Sequence, residues 1–190
     1  MLSLKRLKLS FKLIVVLVLV VLILIIVPTT LSKYQSISSS NANVDIAFYI
    51  ISSSMQTENL VMKEIGPSTE PYIYTFSVSN FDDDKRLETK AKYNIMVKTT
   101  TNMPFVYKLY KVNGTNLEDV SLNERVITDE DGMYFRIIET GDYEFGFEEK
   151  TIDLYQLYIY YPEEYSTYEY QNIVENISIT IDSKQILESY

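Results

Sequence analysis

From Val44 onward, apolar and polar residues change places at every second position, in one segment after another. Val44, Ile46, Phe48 and Ile50 alternate with Asp45, Ala47, Tyr49 and Ile51. Tyr72, Tyr74, Phe76 and Val78 alternate with Ile73, Thr75, Ser77 and Ser79, and Tyr93, Ile95 and Val97 with Asn94, Met96 and Lys98. The same period runs through Tyr143, Phe145 and Phe147 and through Ile177, Ile179 and Ile181. Successive side chains of a strand point to opposite faces, so a period of two means strands with one buried face. Phe105 to Val112, Met133 to Ile138 and Leu154 to Tyr161 have strand composition with ambiguous facing. Turn chemistry separates the segments: Gly66-Pro67, Asp82-Asp83-Asp84, Asn113-Gly114, Asp131-Gly132 and Gly141-Asp142. Roughly eight strands follow from this pattern.

Two segments break the pattern. Tyr170, Ile173, Val174 and Ile177 are spaced i, i+3, i+4, i+7, which predicts a short helix before the last strand. Leu117 to Ile127 has room for another short helical turn. Neither is long enough to cross repeatedly between parallel strands. The expected fold is all-β, an antiparallel β-sandwich that is jelly-roll-like or Ig-like, with one N-terminal transmembrane or signal helix.

That helix is read from the unbroken apolar run Leu13 to Val27 behind Lys5, Arg6, Lys8 and Lys12. Fifteen helical residues would span about 22 Å against a bilayer core of about 30 Å. Extending the run to Phe11 and Leu31 makes it long enough, with Lys12 snorkelling to the headgroups. Cations on the N-terminal side alone keep that end in the cytoplasm. The expected organisation is residues 1–31 as cytoplasmic tip and membrane-directed helix, 32–43 as a Ser/Asn-rich linker or arm, and 44–190 as the extracytoplasmic domain. Cleavage stays open. Thr30-Leu31-Ser32 is a poor signal-peptidase site, and Ser40-Asn41-Ala42 lies far from the apolar run. The protein is either single-pass in the cell membrane with its domain outside, or secreted to the cell surface.

The exported segment 33–190 holds 13 basic against 26 acidic residues, a net charge of −13. Such a surface disfavours nucleic acid as a partner. There is no Cys, hence no disulfide framework, so stability rests on the core. There is no His either, which removes Ser-His-Asp triads and imidazole zinc sites; missing Cys removes thiol nucleophiles and thiolate metal centres. With five Gly, no Gly-rich phosphate loop appears. Three Ala and four Arg beside abundant Ile, Lys, Asn and Tyr suit an AT-rich, Gram-positive-type bacterial genome.

Carboxylate chemistry is what remains. Glu144, Glu148, Glu149, Glu163 and Glu164 are nominal acids for glycoside hydrolysis, although each reads more simply as a solvated turn or strand face. Asp82-Asp83-Asp84 and Asp129-Glu130-Asp131-Gly132 are acidic turns that suit Ca²⁺ in ligand type but lack EF-hand spacing. The expected cofactor is therefore none, with Ca²⁺ a minor alternative, and the expected protein is not an enzyme. Tyrosine is the unusual residue: 17 in all, seven of them between Tyr155 and Tyr170. They fit core packing with the hydroxyl at the rim, a protein contact surface, or sugar stacking.

The order of short motifs resembles a known family. The apolar leader is followed by Ser32-Lys33-Tyr34, a Ser-rich stretch and Val44-Asp45-Ile46-Ala47-Phe48. Then come Phe76-Ser77-Val78-Ser79-Asn80, Tyr93-Asn94-Ile95-Met96-Val97 before Thr99 to Pro104, and Ile179-Thr180-Ile181-Asp182-Ser183-Lys184-Gln185. This layout is similar to the camelysin/TasA family of Gram-positive exported proteins. The resemblance implies a jelly-roll-like sandwich at the cell surface or in biofilm-matrix fibres. It also implies joining of subunits by donation of an N-terminal strand to a neighbour's sheet. Some relatives are described as metalloproteases; a chain without His offers no ordinary zinc site, so that activity is not carried over.

The functional expectation is an exported structural or interaction protein that pairs with itself or another envelope protein, with polysaccharide binding as the alternative. Val44, Ile46, Phe48 and Ile50 are the candidate strand-exchange arm. Tyr155, Tyr158, Tyr160, Tyr165 and Tyr168 are the candidate contact surface.

Overall fold

The computed structural model describes residues 46–186, apart from positions 51, 53, 63, 64, 167, 171 and 172. The membrane-directed run, the linker and Val44 lie outside the described residues. Among the described residues, no helix is long and apolar enough to cross a membrane.

Among the described residues, thirteen strands make two main sheets and a small hairpin. One sheet has the order β1 (Ile46–Tyr49), β3 (Tyr72–Ser79), β12 (Ile152–Tyr160), β7 (Val106–Asn113), β8 (Asn116–Asp119). The other has the order β2 (Ser54–Met62), β13 (Glu175–Gln185), β6 (Ala91–Thr100), β10 (Tyr134–Glu139), β9 (Asn123–Thr128), with β11 (Tyr143–Phe145) also pairing β6. β4 (Phe81–Asp82) and β5 (Lys85–Arg86) form the hairpin. Every pairing is antiparallel except β1 with β3, which is parallel. The all-β antiparallel sandwich expected from the alternation is the observed architecture.

The core lies between the sheets. The predicted inward rows are buried: Phe76 and Val78 on β3, Tyr93, Ile95 and Val97 on β6, and Ile177, Ile179 and Ile181 on β13. Burial of such side chains contributes about 1.5–3 kcal/mol each, which a cysteine-free fold of this size requires. Tyr93 stacks on Phe145 at 4.9 Å, and Phe105 meets Tyr161 edge-on at 5.0 Å. Aromatic pairs of this geometry add to plain area burial.

Both predicted helices are corrected. Ile177 is a β13 residue paired with Leu60 and Thr99, and Tyr170 ends a single 3₁₀ turn, Tyr168–Tyr170. The helical spacing arose where a 3₁₀ turn meets the start of a strand, over a window too short to discriminate. Leu117 to Ile127 holds β8 and β9. These strands show no alternation because nearly all their residues are exposed. β2 was likewise illegible: residues 54–59 lie on an outer edge and are polar on both faces except for the exposed Met55, and Leu60 and Met62 mark its buried side. Turns occur at Asp83-Asp84, at Gly114 and at Asp131, whereas Gly66-Pro67 and Gly141-Asp142 lie in irregular connections between strands. Gly114 and Gly132 have φ of +64° and +80°, and Asp83 has φ of +49°, a region that Gly enters freely and Asp tolerates.

Candidate interaction surface

Of the candidate arm, Ile46 and Phe48 lie on β1 and Ile50 just after it; among the described residues β1 is an edge strand paired with one other strand. Ile46, Ala47, Phe48 and Tyr49 pair with Phe76, Ser77, Val78 and Ser79, and the amide of Ile50 donates to the carbonyl of Ser79 at 2.7 Å. The alternation decides what the arm buries. Phe48 is 1% exposed and Ile50 fully buried, while Ala47 and Tyr49 face outward. The Phe48 ring meets Phe76 edge-on at 5.9 Å, and Phe76 stacks on Tyr155 at 5.4 Å. The Gln56 side chain on β2 clasps the backbone of Tyr49, accepting from its amide and donating to its carbonyl. Phe48 and Ile50 are thus plugs carried by a four-residue strand and the residue after it.

The five candidate tyrosines separate into different environments. Tyr155 does not belong to a contact surface: it faces inward on β12 and is fully buried. Its hydroxyl is 2.7 Å from that of Tyr93, which donates to the Asp153 carboxylate at 2.5 Å. Lys111 reaches the same carboxylate at 2.8 Å and lies 4.6 Å from the Tyr143 ring centroid. Burial pushes the Tyr93 and Tyr155 hydroxyls far above the usual tyrosine range, so both stay protonated donors. Tyr165 is half-buried on the 3₁₀ turn Glu163–Tyr165 and meets Tyr170 edge-on at 5.9 Å. The side chain of Tyr168 lies outside the described residues.

Tyr158 and Tyr160 do point outward, because strand parity places them opposite Tyr155, Leu157 and Ile159. They share their face with residues that sequence reasoning missed. Tyr110 on β7 meets Tyr158 edge-on at 5.0 Å. Leu154, Val112 and Leu117 form one row across β12, β7 and β8, with Leu154 37% and Leu117 45% exposed. Val106 stands beside Tyr160, and Ile73 beside Tyr158. The ambiguous facing of Phe105–Val112 was the available signal: a strand apolar on both sides has a second surface to cover. The tyrosine rings do not form a flat sugar platform, since Tyr110 stands at 78° to Tyr158 and Tyr158 at 33° to Tyr160.

The carboxylates nominated for hydrolysis are dispersed. Glu144 is exposed on β11, Glu163 and Glu164 sit on the 3₁₀ turn, and Glu148 and Glu149 line an open depression of about 350 Å³ with Lys90 and Phe147. Asp129 folds its own turn, accepting from the amides of Asp131 and Met133 at 3.0 and 2.8 Å. Among the described residues, no three acidic side chains converge closely enough to hold a metal ion.

Among the described residues, one carboxylate is buried. Glu175 is 1% exposed and accepts from the Asn102 amide and the Tyr107 hydroxyl, each at 3.2 Å. Burial raises its pKa, opposed by hydrogen bonds from Thr100, Tyr107, Asn102 and Met103. It ties the 101–105 loop to β13 and sits inside the sandwich, away from the outward face.

No family model and no curated protein matches this chain. Two solved structures of a periplasmic inhibitor of g-type lysozyme are similar over 74% of this chain and 100% of theirs. A mutant of the Escherichia coli inhibitor has 11% identity and a TM-score of 0.31, and the Salmonella Typhimurium inhibitor 12% identity and the same score. A TM-score of 0.31 is too low to carry those proteins' partner or activity to this chain.

Proposed function

We propose that this chain is an exported structural protein of the bacterial cell surface, a fibre or matrix subunit whose sandwich joins its neighbour by exchange of β1. The observation that carries this reading is the way β1 is attached. Among the described residues it is an edge strand paired with one other strand and clasped at Tyr49 by the Gln56 side chain, it directly follows the segment that leads back to the apolar leader, and it seats Phe48 and Ile50 in the core. A β1 from a second copy would form the same four pairs on β3 and fill the same core positions. Strand addition of this kind draws affinity from main-chain hydrogen bonds and specificity from alternate side chains. Lys5, Arg6, Lys8 and Lys12 before Leu13–Val27 supply the export signal, and an acidic, well-packed body suits an extracytoplasmic compartment. The reaction catalysed is none; the work is done by packing and pairing.

The absence of native cysteine makes the test direct. Ala47 and Ser77 are paired across β1 and β3 with both side chains on the outer face. Full-length copies carrying Ala47→Cys are mixed with copies carrying Ser77→Cys and oxidised. Strand exchange predicts a mixed disulfide dimer well above the level of either variant alone. A disulfide that forms only when both cysteines are in one chain would reject it.

A further inference from the structure

We propose that the outward face of the β1–β3–β12–β7–β8 sheet is a docking face for a second copy of this chain, the two copies stacked face to face about a two-fold axis. The two sheets differ in what they show to water. Outside β2, β13 and β6 the face is mostly polar, with Thr57, Asn59, Ser178, Asn94 and Lys98, and its apolar members, Met55 and Met96, are unbranched side chains separated by β13. Outside β12 and β7 the equivalent positions hold Leu154, Tyr158, Val112 and Tyr110. A contiguous apolar and aromatic face of this extent marks an interaction site.

Charge identifies the occupant. The 33–190 segment carries 13 basic and 26 acidic residues, so two copies repel through most of their surface. On the outward positions of β3, β12, β7 and β8 there are two charges, Lys108 and Asp119, 3.3 Å apart on neighbouring strands. One cation and one anion on an otherwise neutral patch are self-complementary: a two-fold operation places each Lys108 against the other copy's Asp119. The three central strands hold eight, nine and eight residues and the two flanking ones four each, so at about 3.3 Å per residue and about 4.8 Å per strand the sheet covers roughly 500 Å². With side-chain relief, that approaches the roughly 800 Å² per partner of a standard interface. The edge-to-face rings of Tyr110 and Tyr158 offer interlocking relief to a protein surface rather than a plane for a sugar.

This contact uses the face of the sheet, whereas exchange of β1 uses its edge, so either can fail alone. The test uses the purified full-length chain, which has no native Cys, so that a single introduced cysteine has only its own copy in another molecule to bond. Leu154→Cys, on the face, is compared with Asn59→Cys, an exposed position outside the other sheet. Face pairing predicts a bis-maleimide-linked dimer for Leu154→Cys at least five-fold above that for Asn59→Cys. Adding Ile152→Lys, at a position 58% exposed and therefore safe for folding, lowers that dimer at least five-fold. Equal linking at both positions, or linking indifferent to Ile152→Lys, would overturn the proposal. So would a Leu154→Cys chain that stays monomeric while its face binds vesicles of phosphatidylcholine and phosphatidylglycerol. Face linking without the Ala47–Ser77 mixed disulfide would sink strand exchange and leave this inference standing; the reverse result would do the opposite.

Discussion

The Tyr93 hydroxyl lies 2.7 Å from the Tyr155 hydroxyl, joining β6 of one sheet to β12 of the other through the middle of the sandwich. Tyr93 has one proton, and it goes to Asp153 at 2.5 Å, so Tyr155 must donate to Tyr93. The chain of donors ends on a carboxylate that also meets Lys111 at 2.8 Å. Removing the middle member hurts most. Tyr93→Phe leaves Tyr155 without an acceptor and Asp153 short of a donor, and is expected to cost about 2–3 kcal/mol. Tyr155→Phe deletes one donor and spares the bond to Asp153, at about 1 kcal/mol. Urea unfolding of both variants checks this order; a Tyr155→Phe loss equal to or above that of Tyr93→Phe would contradict the assigned direction.

Phe48 is the larger of the two plugs at β1. Phe48→Ala removes a ring held against Phe76 and is expected to cost about 3 kcal/mol. Because β1 pairs with one strand among the described residues and is otherwise touched at Tyr49 by Gln56, the damage should stay local. Hydrogen exchange should speed up at Ile50, whose amide bonds Ser79, while the amides of β13 between β2 and β6 keep their protection. Uniform acceleration across both sheets would show that β1 is not a separable element.

Glu175 gives stability a pH dependence of defined sign. Its folded pKa is raised above the ordinary value of 4.5, chiefly by burial. The native state therefore holds this proton more tightly than the unfolded chain does. The stability that protonated Glu175 contributes is fully present below about pH 4.5 and is lost as pH rises through the folded pKa. Glu175→Gln should remove this component, so its melting temperature should gain on that of the parent as pH climbs from 4 to 7. A constant difference over that interval would refute the buried-acid account.

Two glycines separate strain from space. Neither Gly132 nor Gly146 has an atom within 4 Å of where a Cβ would stand, but Gly132 has φ of +80°. Gly132→Ala should cost about 1 kcal/mol from backbone strain alone. Gly146→Ala should be neutral or gain up to about 1 kcal/mol by restricting the unfolded chain. Thermal unfolding of the pair distinguishes them, and equal losses would exclude the conformational explanation.

The candidate site was half legible. Phe48 was readable because it alternates against Ala47 and Tyr49, which face outward, and Ile50 continues the same parity into the core. The tyrosine group was not, because Tyr155, Tyr158 and Tyr160 look alike along the chain and parity alone cannot say which side of β12 meets the other sheet. Tyr155 and Tyr158 were assigned to one surface and lie on opposite ones. β8 and β9 were missed since exposed edge strands carry no hydrophobic period.

The sequence by itself determined an all-β body, some of its turns, most inward rows of the long strands and the exclusion of His- and Cys-based chemistry, because these depend on local periodicity and on residue types present or absent. Tertiary structure decided that β1 runs parallel to β3, that Tyr93 and Asp153 meet 60 positions apart in the chain, and that Val112, Leu117 and Leu154 share one exposed row. Those facts follow from which strands become neighbours. Strand order is set by the packing of two whole sheets, a long-range property that no window of alternating residues contains.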